Sequence, residues 1–279
     1  MTLMNQPGGS HGTAARMLQN KCAVVFGAGG SLGAAVAREF AAEGARVFLA
    51  GRTKARLEEV AGQITAAGGD AQTTVLDVLD EGAVNRYLDG IATQAGRIDI
   101  VVDLTGPVVR EYGNGKVAVE LMTDEFMTPL TTMVKSRFIT ARAAARHMTG
   151  QKSGVIIFVT GSPARPHVPG ATAIGAAFGA IENLTGNLAF EVSPFGVRVV
   201  CLRTVANVDS RSIQDTMEFV AARMKITREQ AVGNLIHANF LRVHATVQDT
   251  ANAAVLIASD RARMMTGTVV NASAGAALD

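Results

Sequence analysis

The chain is predicted to be an α/β protein, a doubly wound parallel sheet with helices on both faces. Three observations predict it. Short β-branched runs alternate with longer helical patterns from residue 20 onward. The first such run leads straight into a glycine-rich turn that opens a helix. The 279 residues are 48% hydrophobic, and a chain of that length buries roughly three quarters of its unfolded surface. Alternating strands and helices imply parallel strands joined by right-handed crossovers. Such a sheet takes its ligand beyond the carboxyl ends of its strands.

Each element follows from its pattern. Strands are expected at 23–26, 46–50, 71–76, 100–104, 155–160, 197–202 and 269–271, where Val, Ile, Leu and Phe cluster. Helices are expected at 32–43, 54–67, 81–95, 126–148, 174–192, 212–224, 227–237 and 246–259, where apolar residues recur at helical spacing. No linker, repeat or low-complexity block divides the chain after residue 20, so one domain over 20–279 is expected, with 1–19 a flexible tail.

Composition removes several classes of function. Lys plus Arg is 26 and Asp plus Glu is 24, for a net charge of +2, and no basic block appears. That is not the footprint of a nucleic-acid binder. Cys22 and Cys201 are too few and too far apart for a disulfide framework or a Cys-rich metal site. His11, His147, His237 and His244 show no ligand spacing, so no metal is expected. No apolar run approaches the roughly 18 residues of a membrane span. A cytoplasmic protein without membrane or nucleic-acid partners is the expectation.

Strand 23–26 runs into Gly27-Ala28-Gly29-Gly30-Ser31-Leu32-Gly33. Glycines there let the backbone turn tightly and approach a pyrophosphate, while the following helix offers free N–H groups and a favourable dipole. The second strand ends before Gly51-Arg52-Thr53. An acidic residue at that point would accept from an adenine-ribose diol. Gly51 offers nothing, whereas Arg52 can pair with a 2′-phosphate, which favours NADP(H) over NAD(H).

The chain resembles the short-chain dehydrogenase/reductase family over about 20–277, with its single Rossmann-like domain. The glycine turn is similar to that family's Gly-x-x-x-Gly-x-Gly, with Ser31 at the middle glycine. Asp77-Val78 is similar to its Asp-Val pair that touches adenine. Asp103-Leu104-Thr105-Gly106 stands where the family has Asn-Asn-Ala-Gly. Glu182-Asn183-Leu184-Thr185 and Phe195-Gly196-Val197-Arg198-Val199 resemble its sixth helix and strand, and Ala258-Ser259-Asp260 with Thr266-Gly267 its C-terminal signature. The resemblance implies cofactor contacts at Gly27, Gly30, Ser31, Leu32, Gly33, Arg52, Asp77, Val78, Asp103, Thr105 and Gly106. Asp103 is read either as a ribose ligand or as a cap on its strand.

The family's chemistry uses an Asn, Ser, Tyr and Lys tetrad. Placed by the resemblance, Tyr falls on Ile174, Lys on Phe178, Ser on Gly161 and Asn on Met133. Ile174 and Phe178 carry no proton to give and no charge to stabilise an alkoxide. The only tyrosines, Tyr87 and Tyr112, lie elsewhere. General acid–base help contributes about 10²–10⁴-fold, so the usual carbonyl reduction is not expected. Gly161, Arg165, Ile174 and Phe178 are expected to line a substrate pocket with an apolar wall.

Polar substitutes are sought in the loop after the fifth strand. Ser162 is one residue from the family's serine, and its hydroxyl is the candidate oxyanion donor. His167 can act as acid or base near neutral pH, and Arg165 can hold an anionic group. Each is also an ordinary loop residue. Lys135 reads as a surface charge. The stretch 205–243 corresponds to the family's substrate-covering region; Met217, Phe219, Met224, Ile226, Leu235, Ile236 and Phe240 make it an apolar lid or a pair of core helices. Helices 126–148 and 174–192 correspond to those through which the family pairs, so a homodimer or homotetramer is expected.

Three functions follow. The first is an atypical NADP(H)-dependent oxidoreductase acting on an activated C=C or carbonyl of a small apolar molecule. The second is a non-redox cyclase, isomerase or lyase on the same scaffold. The third is a non-catalytic partner of an active subunit.

Overall fold

Strand β1, Cys22–Phe26, is buried along its whole length and sends alternate residues to opposite faces. Ala23 and Val25 join one core cluster; Cys22, Val24 and Phe26 join the other. A strand buried on both sides has to be apolar throughout, as this one is. The computed structural model describes residues 16–165 and 167–278.

The first half of the chain continues with α1 (Ser31–Ala42), β2 (Arg46–Gly51), α2 (Lys54–Ala66), β3 (Asp70–Val75), α3 (Glu81–Ala95) and β4 (Ile100–Asp103). The second half holds α4 (Thr123–Pro129), α5 (Lys135–Gln151), β5 (Gly154–Gly161), α6 (Thr172–Val192), β6 (Val197–Thr204), α7 (Arg211–Met224), α8 (Arg228–Ala238), α9 (Val247–Ala258) and β7 (Thr268–Ala272). All pairings are parallel, in the order β3-β2-β1-β4-β5-β6-β7. The expected doubly wound α/β sheet is therefore present. Helices α1, α2 and α9 cover one face; α3, α5 and α6 cover the other.

The chain leaves β1 toward β2 and β3, then returns to the far side of β1 at β4. This reversal is the topological switch point, where such sheets open a crevice at the strand ends. Phe26 of β1 stands in register with Ala50 of β2 and Asp103 of β4. The ends of those three strands make the floor of the crevice.

Two differences from the sequence expectation have an identifiable physical cause. The helix expected at 126–148 starts at Thr123, ends at Gln151 and contains a π-turn at Leu130–Val134. Pro129 cannot donate to the helical ladder. The Thr131 and Thr132 hydroxyls donate to the carbonyls of Met127 (3.0 Å) and Thr128 (2.6 Å), which bends the turn further. The second concerns the expected tail, 1–19, of which 1–15 lie outside the described residues. Leu18 is fully buried in the α1-side core and donates its N–H to the Glu43 carbonyl at 2.9 Å. A single anchoring leucine has no periodicity, so the pattern could not reveal it.

Candidate cofactor cleft and active site

The glycine turn lies over the end of β1. Gly27 has φ +77°, and the N–H groups of Gly27 and Ala28 both donate to the Ala50 carbonyl, at 2.9 and 3.2 Å. A Cβ on Gly27 would lie 2.9 Å from the Leu104 carbonyl carbon. One on Gly33 would press into the Gly27 carbonyl oxygen, 2.8 Å from the Gly27 carbonyl carbon and 2.9 Å from Ala28 Cα. Helix α1 therefore starts as close to β1 as backbones allow. Its N-cap, Gly30, supplies no side-chain cap. The first-turn N–H groups are left for an anion.

Arg52 follows β2 directly and is exposed. Arg56, also exposed, packs its Cβ 3.1 Å from the point a Cβ on Gly29 would occupy. Arg56 is a second cation beside the turn that sequence reasoning missed; its spacing of four from Arg52 was the available signal. Asp77 is exposed and accepts from the Leu79 N–H at 3.0 Å, and Val78 beside it is buried. Gly27, Gly30, Ser31, Leu32, Gly33, Arg52, Asp77 and Val78 are thus set along the ends of β1, β2 and β3.

At the end of β4 the structure decides between the two readings of Asp103. Its side chain is 1% exposed, so it does not line the cleft. It caps the strand: one carboxylate oxygen accepts from the Thr105 N–H (2.9 Å) and hydroxyl (2.5 Å), and the other from the Thr140 hydroxyl (3.1 Å). Arg137, 2% exposed, lies 4.0 Å away. Its Nη1 donates to the Thr105 carbonyl at 2.7 Å and the Met133 carbonyl at 3.3 Å. Burial pushes the Arg137 guanidinium below its usual range, and Asp103 opposes that shift. Its Nε is buried without a partner among the described residues. The loop at Thr105 and Gly106 rests on this pair, with the Met133 side chain 4.0 Å from where a Cβ on Gly106 would be.

Gly161 and Phe178 interlock. A Cβ on Gly161 would lie 2.9 Å from Phe178 Cε2 and 3.4 Å from Cζ. Ile174, one turn earlier on α6, joins a small apolar cluster with Val109, Tyr112 and Ala173. Burial pushes the Tyr112 phenol up to about 12. Ile174 and Phe178 are both partly buried and pack against the core on the α5–α6 side of the sheet.

No side-chain hydrogen bond joins Ser162, Arg165 and His167 among the described residues. Ser162 opens a 3₁₀ turn, and its carbonyl accepts from the Arg165 N–H at 3.0 Å. His167 is exposed and makes no hydrogen bond to another described residue. Arg165 was expected in the substrate pocket; it instead reaches Glu182 of α6, Nε to Oε2 at 3.6 Å, and lines a cavity of about 510 Å³ with Glu182, Asn183 and Asn187. Glu182 is held far more tightly by the fully buried Arg203, through bonds of 2.8 and 2.9 Å. Lys135 is exposed.

The region 205–243 forms a helical pair with a core of its own, Met217, Ala221 and Ala231. Several contacts fasten it to the body, and three of them reach the first half of the chain. Asn114 Nδ2 donates to the Thr216 hydroxyl at 3.2 Å, Arg223 pairs with Glu120 at 3.3 Å, and the Arg211 N–H donates to the Ser31 hydroxyl at 3.2 Å. The last one joins the covering helices to the glycine turn itself. Met217, Leu235 and Ile226 pack within the pair, while Phe219, Met224 and Phe240 stay exposed.

The sheet order, the glycine cradle and the uncapped helix define a dinucleotide-type cleft. A family model for short chain dehydrogenase matches residues 21–218. An uncharacterized oxidoreductase of Methylorubrum extorquens is 30% identical over 260 residues, covering 92% of this chain and 98% of that protein. The 7alpha-hydroxysteroid dehydrogenase of Escherichia coli is 26% identical over 258 residues, covering 92% and 94%. The chain belongs to the short-chain dehydrogenase family, whose relatives here are oxidoreductases. Among solved structures, NAD+-bound xylitol dehydrogenase superposes with a TM-score of 0.85 at 24% identity, covering 92% of this chain and 99% of that one. Actinorhodin polyketide ketoreductase with NADPH gives 0.84 at 19%, covering 92% and 97%. Those two likenesses concern the fold. No helix among the described residues is long and apolar enough to cross a membrane.

Proposed function

We propose that this chain is an NADP(H)-binding oxidoreductase that reduces an activated C=C or carbonyl of a small apolar molecule without the Tyr/Lys dyad. The observation that carries the reading is the Gly161–Phe178 interlock. A serine at 161 would strike the ring, so the apolar residue at 178 and the absent hydroxyl at 161 belong to one packing arrangement. Ile174 extends the same wall.

The cradle fits a dinucleotide because a Cβ at Gly27 or Gly33 would fill it and because the α1 N–H groups lack a side-chain cap. When bound, the cofactor supplies a hydride. Gly27, Gly30, Ser31, Leu32 and Gly33 hold its pyrophosphate, Arg52 with Arg56 its 2′-phosphate, Asp77 and Val78 its adenine, and Thr105 and Gly106 the floor beyond. The wall at Ile174 and Phe178 excludes water and takes apolar substrate surface. The Ser162 hydroxyl donates to the oxyanion that forms. Solvent can protonate an enolate carbon afterwards, which is why a conjugated C=C suits this wall better than an isolated carbonyl.

Titration with NADPH, NADP⁺ and NADH, followed by nicotinamide fluorescence, tests the reading; the chain has no Trp, so background emission is low. NADPH is expected to bind and NADH to bind weakly, and NADPH consumption is then sought with enones and enoyl thioesters. Binding of no dinucleotide sinks the proposal. Arg52→Ala is expected to weaken NADPH by about 10–100-fold, the worth of a hydrogen bond to a charged group, and to leave NADH unchanged. Equal losses for both cofactors would remove Arg52 from the 2′-phosphate.

The proposal includes a second copy of the chain seated across α5 and α6. Phe138 and Phe190 are 49% and 86% exposed there, beside a groove of about 460 Å³ lined by Leu184 and Leu188. Exposed aromatics of this kind suit an interface core. Sedimentation should give a dimer or tetramer that Phe190→Lys weakens; a monomer at micromolar concentration overturns the pairing.

A further inference from the structure

A buried charge pair stands at the sheet's switch point and takes no part in the mechanism above. Asp103 is the last residue of β4, in register with Phe26, the residue before the glycine turn. Arg137 comes from α5 and holds the Thr105 carbonyl. The pair therefore lies directly beneath the loop at Thr105 and Gly106. On the cofactor reading above, Arg52 and Arg56 would hold the adenosine half over β2, and the nicotinamide half of a dinucleotide crossing the crevice would then lie toward β4 and β5.

The geometry is uneven. Arg137 and Asp103 approach only to 4.0 Å, and each spends its hydrogen bonds elsewhere. Asp103 takes three from Thr105 and Thr140. Arg137 gives its Nη1 bonds to the carbonyls of Thr105 and Met133 and to the Ser136 hydroxyl, at 2.7, 3.3 and 3.4 Å. Nε stays unpartnered among the described residues. A pair optimised for stability would join face to face. Both ions are instead fixed separately by neutral groups, so removing one side chain leaves the other with its own hydrogen bonds.

We propose that Asp103 and Arg137 are positioning residues that set the relative affinity for the oxidised and reduced nicotinamide. The inference rests on the cofactor reading above. The oxidised ring carries a positive charge and the reduced ring none. A cation below the floor therefore disfavours the oxidised form, and an anion favours it. At an effective dielectric near 20 and a separation of about 10 Å, one unit charge changes such an equilibrium on the order of tenfold.

The test measures the ratio of the NADP⁺ to NADPH dissociation constants in four proteins: wild type, Asp103→Asn, Arg137→Met and Arg137→Lys. Asp103→Asn leaves Arg137 charged, so the ratio should rise on the order of tenfold. Arg137→Met leaves the carboxylate with its three donors, so the ratio should fall by a similar factor. Arg137→Lys keeps the charge and should hold the wild-type ratio within about twofold. A purely structural role would weaken both cofactors together, leaving the ratio unmoved or shifting it the same way in every variant; either result overturns the proposal. Should Arg137→Met not fold, Asp103→Asn decides alone, since it preserves shape and must raise the ratio. A wild-type protein that binds neither form overturns the cofactor reading itself, while binding with an unmoved ratio overturns only this inference.

Discussion

Gly33→Ala should abolish measurable NADPH binding, a loss of at least about 100-fold, and lower the melting temperature. The added methyl would press into the Gly27 carbonyl oxygen, 2.8 Å from its carbon. Both contacts are backbone, so no side chain can swing aside. Either α1 withdraws from β1 or the turn opens, and each displaces the α1 N–H groups from the pyrophosphate position. A rigid overlap of this size belongs with the larger destabilisations, about 3 kcal/mol or more. Gly30→Ala separates binding from folding. Gly30 is exposed, its φ is −85°, and its Cβ would lie 3.4 Å from the Gly27 carbonyl oxygen. That variant should melt within a few degrees of wild type yet bind NADPH more weakly, because the methyl stands where the phosphates approach. Fluorescence titration beside thermal melts reads both. Wild-type affinity in Gly33→Ala would remove the glycine turn from the binding site.

This cradle was readable in the sequence because its signals are local. A β-branched run, glycines at a strand end and an amphipathic helix follow one another within a dozen or so residues. The sheet was readable for the same reason, since β1 throughout, β4 up to Val102 and β5 from Val155 to Val159 are apolar, as strands buried on both faces must be. What escaped was built from contacts between distant segments. Arg137 sits on a helix that reads as ordinary, and arginine is usually a surface residue. Yet Met133, Arg137, Ala144 and Met148 are buried at helical spacing, so the period placed it inward. Asp103 could be read as ligand or cap until the Thr105 and Thr140 donors were seen. His167 and Ser162 are five residues apart in sequence, and the fold does not join them; adjacency in a loop says little about where side chains point.

The Gly161–Phe178 interlock is likewise invisible in sequence, and it dictates the order in which a tyrosine–lysine site could be installed. Gly161→Ser alone should destabilise the protein by about 1–3 kcal/mol, since its Cβ would sit 2.9 Å from a partly buried ring packed against the core on the α5–α6 side. In a Phe178→Lys background the ring is gone and the same serine should cost close to nothing. A double-mutant cycle on denaturant midpoints should therefore show a coupling of about 1 kcal/mol or more. Adding Ile174→Tyr then places a proton donor one helical turn before the lysine. General acid–base assistance of this kind contributes about 10²–10⁴-fold. The triple variant should gain ketone reduction of that order over wild type, and Ile174→Tyr alone should gain far less, because its phenol would have no cation beside it. If Gly161→Ser is equally costly with and without Phe178, the ring is not what keeps position 161 bare. If the triple variant folds, binds NADPH and still reduces no ketone, the apolar wall is not what limits carbonyl chemistry. The preference for conjugated C=C bonds would then have to come from the loop at Ser162 or from the covering helices α7 and α8.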